Sequence, residues 1–247
     1  MDESIIKYGL FLGWSTMFVT SCLEIANKDT VFKIIKKQGM RLYLTAWAHT
    51  TVNSTIYGPI VYYWVGDNII DYSNKHSYLK SVINTNSLLV IHSIGYWLVH
   101  IMMHNKRFFF MHRFHHKFST HVSPVIAMAV SPYEYFFAYM LPFIIGSYII
   151  VPNNIELVIA AGIVSICNLI IHSPSLELYS YLIPESLVTP IKHLTHHELM
   201  NTHFAAPTYD LDFIYGLFRR RDKGLDAGRQ ALEEKLRCIS SPKSIKI

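Results

Sequence analysis

Five long apolar runs, at residues 8–26, 42–65, 88–103, 133–151 and 155–171, fix what this chain can become. A helix needs roughly 20 apolar residues to cross a bilayer, and these runs are near that length. Only 16% of the 247 residues are charged, and 51% are hydrophobic. Soluble domains carry about a quarter charged residues, so the composition points to an integral membrane protein. Backbone groups inside lipid must be paired within their own segment, so the apolar runs are expected to be helices. The expected fold is all-α: a membrane helical bundle of about four to five spans, in a single domain over residues 1–247.

Charge between the runs sets the expected orientation. Residues 27–41 carry Lys28, Lys33, Lys36, Lys37 and Arg41 against Asp29. Residues 105–121 carry Lys106, Arg107, Arg113 and Lys117. Residues 66–81 have no basic excess. By the positive-inside rule the two basic loops face the cytosol. The +5 formal charge is read as this topological bias and not as nucleic-acid binding. Arg219, Arg220 and Arg221 extend it, and the tail holding Glu233, Glu234, Lys235 and Arg237 reads as a short solvated helix. Cys22, Cys167 and Cys238 are scattered, with neither a disulfide framework nor zinc-ribbon spacing. The acidic start, without a basic n-region, makes the first run an anchor rather than a cleaved signal.

Histidines gather where apolar sequence gives way to polar sequence. His100 and His104 stand four apart, His112, His115 and His116 form HxxHH, and His193, His196 and His197 repeat HxxHH. Residues three and four apart share a helix face, so each group converges. Imidazole is the commonest nitrogen ligand for iron, copper and zinc, and eight of them exceed the needs of one ion. The expectation is a two-metal centre at the mouth of the bundle, with every histidine group on the cytosolic side. A set of interfacial histidines beside lipid headgroups would not repeat one spacing.

The order HxxxH, HxxHH, HxxHH at membrane edges resembles the fatty acid hydroxylase superfamily, which includes sterol desaturases, sterol C-4 methyl oxidases and fatty acid hydroxylases. The resemblance covers residues 87–224, taken as the catalytic region. Tyr96-Trp97-Leu98-Val99-His100 is similar to the lead-in of the first box. Ser131-Pro132-Tyr133-Glu134 resembles a His-Pro-x-Glu segment, and His172-Ser173-Pro174 resembles an isolated His-Ser-Gly element. Asn201, Phe204, Tyr209-Asp210 and Ile214-Tyr215-Gly216 resemble the trailing Asn-Phe…Trp-Asp…Phe-Gly stretch. Tyr215-Gly216 with Asp222-Lys223-Gly224 leans towards the sterol C-4 methyl oxidases. Ile101 stands where the family usually has arginine, Ser131 replaces a histidine, and His203 stands where histidine is unusual. These departures bear on the substrate more than on the metal.

What the resemblance implies is an oxidoreductase acting on a lipid with dioxygen. Two non-haem irons would sit under a cytosolic helical cap in the endoplasmic reticulum. No haem-binding His-Pro-Gly-Gly is present. Electrons would therefore come from NAD(P)H through a separate reductase and cytochrome b-type donor. His172 joins His100, His104, His112, His115, His116, His193, His196 and His197 as an expected ligand. His203, His121, Asn201 and Asp210 are carried as extra ligands or as partners of ligands, and Glu134, Asp212 and Glu198 as partners only. His92 either lines the substrate path or packs inside the membrane, and His49 and His76 are read as structural or surface groups. Phe108, Phe109 and Phe110 are read either as seating the cap at the interface or as walling an acyl or sterol channel. Two other classes stay open. A metal transporter would carry ligands near the bilayer midplane. An inactive relative kept as a scaffold would have no need of intact boxes.

Overall fold

The computed structural model describes residues 4–70, 76–118, 121–218 and 234, and among these every regular element is helical. Arg219–Arg221, the Asp222-Lys223-Gly224 motif and all of the charged tail except Glu234 lie outside the described residues.

Helix α1 (Ser4–Ala26) turns at Asn27 into α2 (Lys28–Gln38). Gly39, at φ 99°, then starts α3 (Met40–Val52). A π-helical turn, Asn53–Tyr57, joins α3 to α4 (Gly58–Asn68) without a break. Helix α5 (Tyr78–Met103) is capped by the Ser77 hydroxyl, which accepts from the Lys80 amide. Short α6 (Phe109–His112) and a 3₁₀ turn at His115–Phe118 follow, and a second 3₁₀ turn covers Pro124–Met128. Short α7 (Pro132–Glu134) passes through a π turn, Tyr135–Met140, into α8 (Leu141–Ile150). Helix α9 (Asn154–Ile171) opens on a capping box between Asn153 and Glu156. A 3₁₀ segment, Pro174–Leu182, leads to α10 (Pro190–Leu199) and α11 (Leu211–Phe218).

Four helices are long and apolar enough to span a membrane: Ile5–Ala26, Tyr78–Met103, Pro132–Ile150 and Asn154–Ile171. This is an integral membrane bundle in which α5 packs along α8, α1 along α4, and α9 against both α1 and α5. Outward faces are apolar, as lipid requires. On α1 they carry Phe11, Trp14 and Phe18, and on α9 Ile155, Ile159, Ile163 and Ile166. Close approach needs glycine at two points. A Cβ on Gly13 would collide with the Ser54 carbonyl, and one on Gly95 would come within 2.8 Å of Pro142.

The expected span at residues 42–65 forms a continuous helix, α3 through α4, but does not join the four by composition. Its polar residues explain why. Thr50 donates to the Val125 carbonyl (2.6 Å) and Asn53 to the Met128 carbonyl (2.8 Å). The His49 Nδ1 pairs with the Val130 carbonyl at 3.1 Å. From the other side, Asn168 donates to the Ala127 carbonyl (2.8 Å) and Glu24 accepts from the Val125 amide (2.7 Å). Residues 122–130 are buried, and beyond the one 3₁₀ turn at Pro124–Met128 their backbone groups are met by side chains of the surrounding helices. This loop is a floor between the spans and the histidine-bearing cap.

Candidate metal centre

Nine histidines come together in two groups. His100, His104, His112, His116 and His196 form one, and His115, His172, His193 and His197 the other. Within each group the ligand-capable atoms lie within 4.8 Å of one another. The groups adjoin: the His116 and His197 rings are 5.0 Å apart, and those of His112 and His115 are 5.1 Å apart. These are the nine residues expected as ligands from the sequence. Each HxxHH box is split between the groups, so neither box serves one site alone.

Local structure explains the convergence. The first pair comes from the last turn of α5. The second box sits on α6 and the 3₁₀ turn that follows, so His115 and His116 diverge from His112. The third box lies on α10, whose start is fixed by the Thr189 hydroxyl accepting from the Lys192 amide. His172 is the residue where α9 ends. All nine are buried except His104, which is partly buried.

Four of the nine histidines have one ring nitrogen tied to a protein oxygen. The Nδ1 of His112 donates to Glu134 Oε1 (2.6 Å), that of His100 to the Phe204 carbonyl (2.6 Å), and that of His196 to the Thr202 carbonyl (2.7 Å). The Nδ1 of His172 donates to the Asn168 carbonyl (2.7 Å). Such contacts fix the tautomer and leave Nε2 bare. His100 and His112 therefore point two bare lone pairs at each other across 2.9 Å. His172 presents its Nε2 at 3.0 Å from that of His193 and 3.4 Å from that of His115. Bare nitrogens at that separation repel unless a cation lies between them. Metal–imidazole bonds of roughly 2.0–2.1 Å set neighbouring ligand nitrogens about 3 Å apart, so the residues fit a metal in each group. The buried Nε2 atoms of His196 and His197 and both ring nitrogens of His116 have no hydrogen-bond partner, which a bound metal would supply.

Charge agrees with that fit. Burial holds His104 and His172 at about 4 and His116 at about 3, below the ordinary imidazole value. For His116, neighbouring His104 and His172 add to the effect. Burial also pushes His112, His115, His193, His196 and His197 well down. Neutral imidazole is the ligating form.

The other sequence expectations divide. Glu134 lies against His112, as its place after the second box implied. Ser131, where the family pattern has histidine, caps α7 by accepting from the Glu134 amide and donates to the Met111 carbonyl (2.6 Å). Asp210 pairs instead with Lys192 (2.7 Å) and belongs to neither group. Asp212 accepts from Trp97 Nε1 (2.9 Å) and the Ala205 amide (2.6 Å), so it anchors the 203–206 loop rather than a histidine. Burial raises its carboxyl to about 6. Asn201 and Glu198 are exposed, His121 is half-buried, and His203 is buried in a left-handed backbone at φ 54°. None of these four belongs to either group. His92 is buried against Tyr96, Tyr139 and Phe143.

The carbonyls of Asn168, Thr202 and Phe204 were not foreseen. Backbone acceptors leave no trace in residue type. Asn168 alone carried a signal, a polar side chain one turn before His172 in an apolar run.

A model of the fatty acid hydroxylase family matches residues 85–216. The chain belongs to the fatty acid hydroxylase family. No curated protein and no solved structure matches it. The matched stretch of this family member contains all nine grouped histidines and Glu134.

Proposed function

We propose that this fatty acid hydroxylase family member is a membrane-bound non-haem di-iron oxygenase that hydroxylates or desaturates a lipid. The observation that carries the reading is the pair of adjoining all-histidine groups beside the membrane spans, with the Nδ1 atoms of His100, His112, His172 and His196 tied to protein oxygens and their Nε2 atoms turned inward. His100, His104, His112, His116 and His196 hold one iron, and His115, His172, His193 and His197 the other. His203, His121, Asn201 and Asp210 are not needed as ligands. Two irons bound there would supply the oxidising power towards an unactivated C–H bond that side chains lack, with dioxygen as co-substrate. Carbonyls 168, 202 and 204 and the Glu134 carboxylate hold the imidazoles in one orientation, and burial keeps them unprotonated. Electrons come from NAD(P)H through a separate reductase and cytochrome b-type donor. The chain acts as one membrane domain, with residues 87–224 catalytic and the cap on the cytosolic face of the endoplasmic reticulum.

The test compares wild type with a His196→Ala/His197→Ala variant, one ligand from each group. Lipids of expressing cells and iron per purified chain are measured together. A new hydroxylated or unsaturated lipid with wild type alone, with about two irons per chain lost in the variant, is expected. A well-folded wild type that holds no iron, or holds only exchangeable zinc, sinks the reading in favour of a transporter or scaffold.

A further inference from the structure

The Nε2 atoms of His100 and His112 face each other across 2.9 Å, and Glu134 stands directly behind His112. Behind His100 stands a peptide. Its carbonyl, that of Phe204, accepts from the ring Nδ1 at 2.6 Å. The N–H of the same peptide unit belongs to Ala205 and donates to Asp212 Oδ2, also at 2.6 Å. This peptide is trans, so it is a rigid plane with C=O and N–H on opposite edges. Asp212, the 204–205 peptide and His100 therefore make one unbroken chain of hydrogen bonds. A carboxylate on the N–H edge polarises the C=O edge, and bonds in such a chain strengthen one another. His100 is thus backed by a carboxylate as His112 is, with one peptide between.

The same carboxylate is tied to the helix that carries His100. Its Oδ1 accepts from Trp97 Nε1 at 2.9 Å, and Trp97 stands three residues before His100 on α5, a neighbour on the helix surface. Asp212 itself is buried, in the first turn of α11. The loop it grips does not owe its shape to local preference. Met200 and His203 hold φ at 61° and 54°, a region that non-glycine residues seldom enter and that persists where surrounding contacts enforce it. That loop serves the first histidine group. The Thr202 carbonyl takes His196 Nδ1, and the Phe204 ring packs against His100, His104 and His196. In the second group His172 is tied elsewhere, to the Asn168 carbonyl one turn back in α9.

We infer that Asp212 is a positioning residue for the first histidine group, acting on His100 through the 204–205 peptide. It keeps the His100 Nδ1 proton in place, turns the bare Nε2 towards His112, and adds electron density to that nitrogen. The second group does not depend on it. The two halves of the centre are therefore supported separately and can be weakened separately. The inference rests on the proposed function only in taking each group to hold a metal.

The test uses the full chain in nanodiscs, wild type beside Asp212→Asn and Trp97→Phe. Asp212→Asn keeps the shape but leaves one acceptor oxygen for two N–H donors. Imidazole nitrogens of the metal-free protein are read by nitrogen-15 solid-state NMR, with His100 and His172 assigned by loss of signal in His100→Gln and His172→Gln. Cobalt(II) is then titrated against a competing chelator. Wild type is expected to show His100 as the Nδ1–H tautomer and to bind one cobalt per group. In Asp212→Asn the His100 signal should divide between tautomers while that of His172 stays. One cobalt should bind about tenfold more weakly, the low end for a lost outer partner of a ligand, and the other as in wild type. Trp97→Phe keeps the carboxylate and the peptide, so it should show a smaller loss at the same site, and it decides alone if Asp212→Asn does not fold. Equal weakening of both cobalt ions with an unchanged His100 tautomer makes Asp212 a fold contact and overturns the inference, as does no change in either readout. A wild type that binds no cobalt, while Asp212→Asn still shifts His100, sinks the metal reading and leaves the positioning role standing.

Discussion

Glu134 is the residue whose chemistry is most exposed to test. Its carboxylate takes the Nδ1 proton of His112 at 2.6 Å inside a buried site. That contact fixes which nitrogen His112 turns towards the other histidines of its group and raises that nitrogen's basicity. Replacing such a partner typically costs ten- to a hundredfold in metal affinity. Glu134→Ala is therefore expected to weaken iron binding by about that factor, read by titration against a competing chelator, while helix content is unchanged. Glu134→Gln keeps an acceptor oxygen and should lose less. Equal losses in both variants would mean that the charge, not the orientation, matters. A loss in neither would remove Glu134 from the site. The departure at Ser131 makes the same point from the other side. The residue that looked like a missing histidine supplies an N-cap for the turn that presents Glu134. Ser131→Ala should lower thermal stability by about 1 kcal/mol, the usual value of a lost cap.

At the scale of elements, α10 carries three of the grouped histidines and must be held in register with segments far from it in sequence. Lys192 does this beside His193. Its ammonium reaches Asp210 (2.7 Å) and the Glu185 carbonyl (2.9 Å), tying α10 to the strand-like pair of segments around Leu187 and Tyr209. Both charges are largely buried, so removing one partner strands the other. Lys192→Met is expected to destabilise the protein by about 3–5 kcal/mol in detergent unfolding. Lys192→Met/Asp210→Leu should recover much of that, because no charge is left alone. A double variant as unstable as the single one would contradict the clamp. The same elements show how much was legible. The spacing of His100/His104 and of both HxxHH boxes marked eight of the nine grouped histidines, because side-chain type is read directly from sequence, and His172 came from the resemblance alone. Asp210 misled, because an acidic residue after a histidine box looks the same whether it faces an imidazole or a lysine. The continuous helix through Asn53 reads in sequence as a span more polar than the first, but nothing local reveals that Thr50 and Asn53 serve the carbonyls of residues 125–130. Partners distant in the chain appear only once the chain is folded.

At the scale of the whole molecule, the fold keeps eight of the nine grouped imidazoles buried and His104 partly so, and this makes the metal-free protein sensitive to acid. His104 and His172 titrate at about 4 and His116 at about 3, because burial disfavours their charged forms. In the unfolded chain they titrate near 6.5. Between those values the unfolded state binds more protons, so stability rises with pH across that window. It is fully present above about pH 7, is lost as pH falls below 6.5, and stops falling only below about 3. The metal-free protein should therefore show a melting temperature that is flat from pH 7 to 8 and declines steadily from pH 6.5 to 4. Asp212 acts in the opposite direction, because burial raises its folded value to about 6. Its folded form holds the proton between about 4 and 6, and there it offsets part of the loss by the equivalent of one group against several. The measurement is a melting curve at each pH on chelator-treated protein, repeated on His116→Phe. Removing one depressed imidazole should shallow the slope between pH 6.5 and 4. A flat profile in the wild type would mean that the histidines are hydrated, and the cap would not be the dry enclosure that two closely spaced metal sites require.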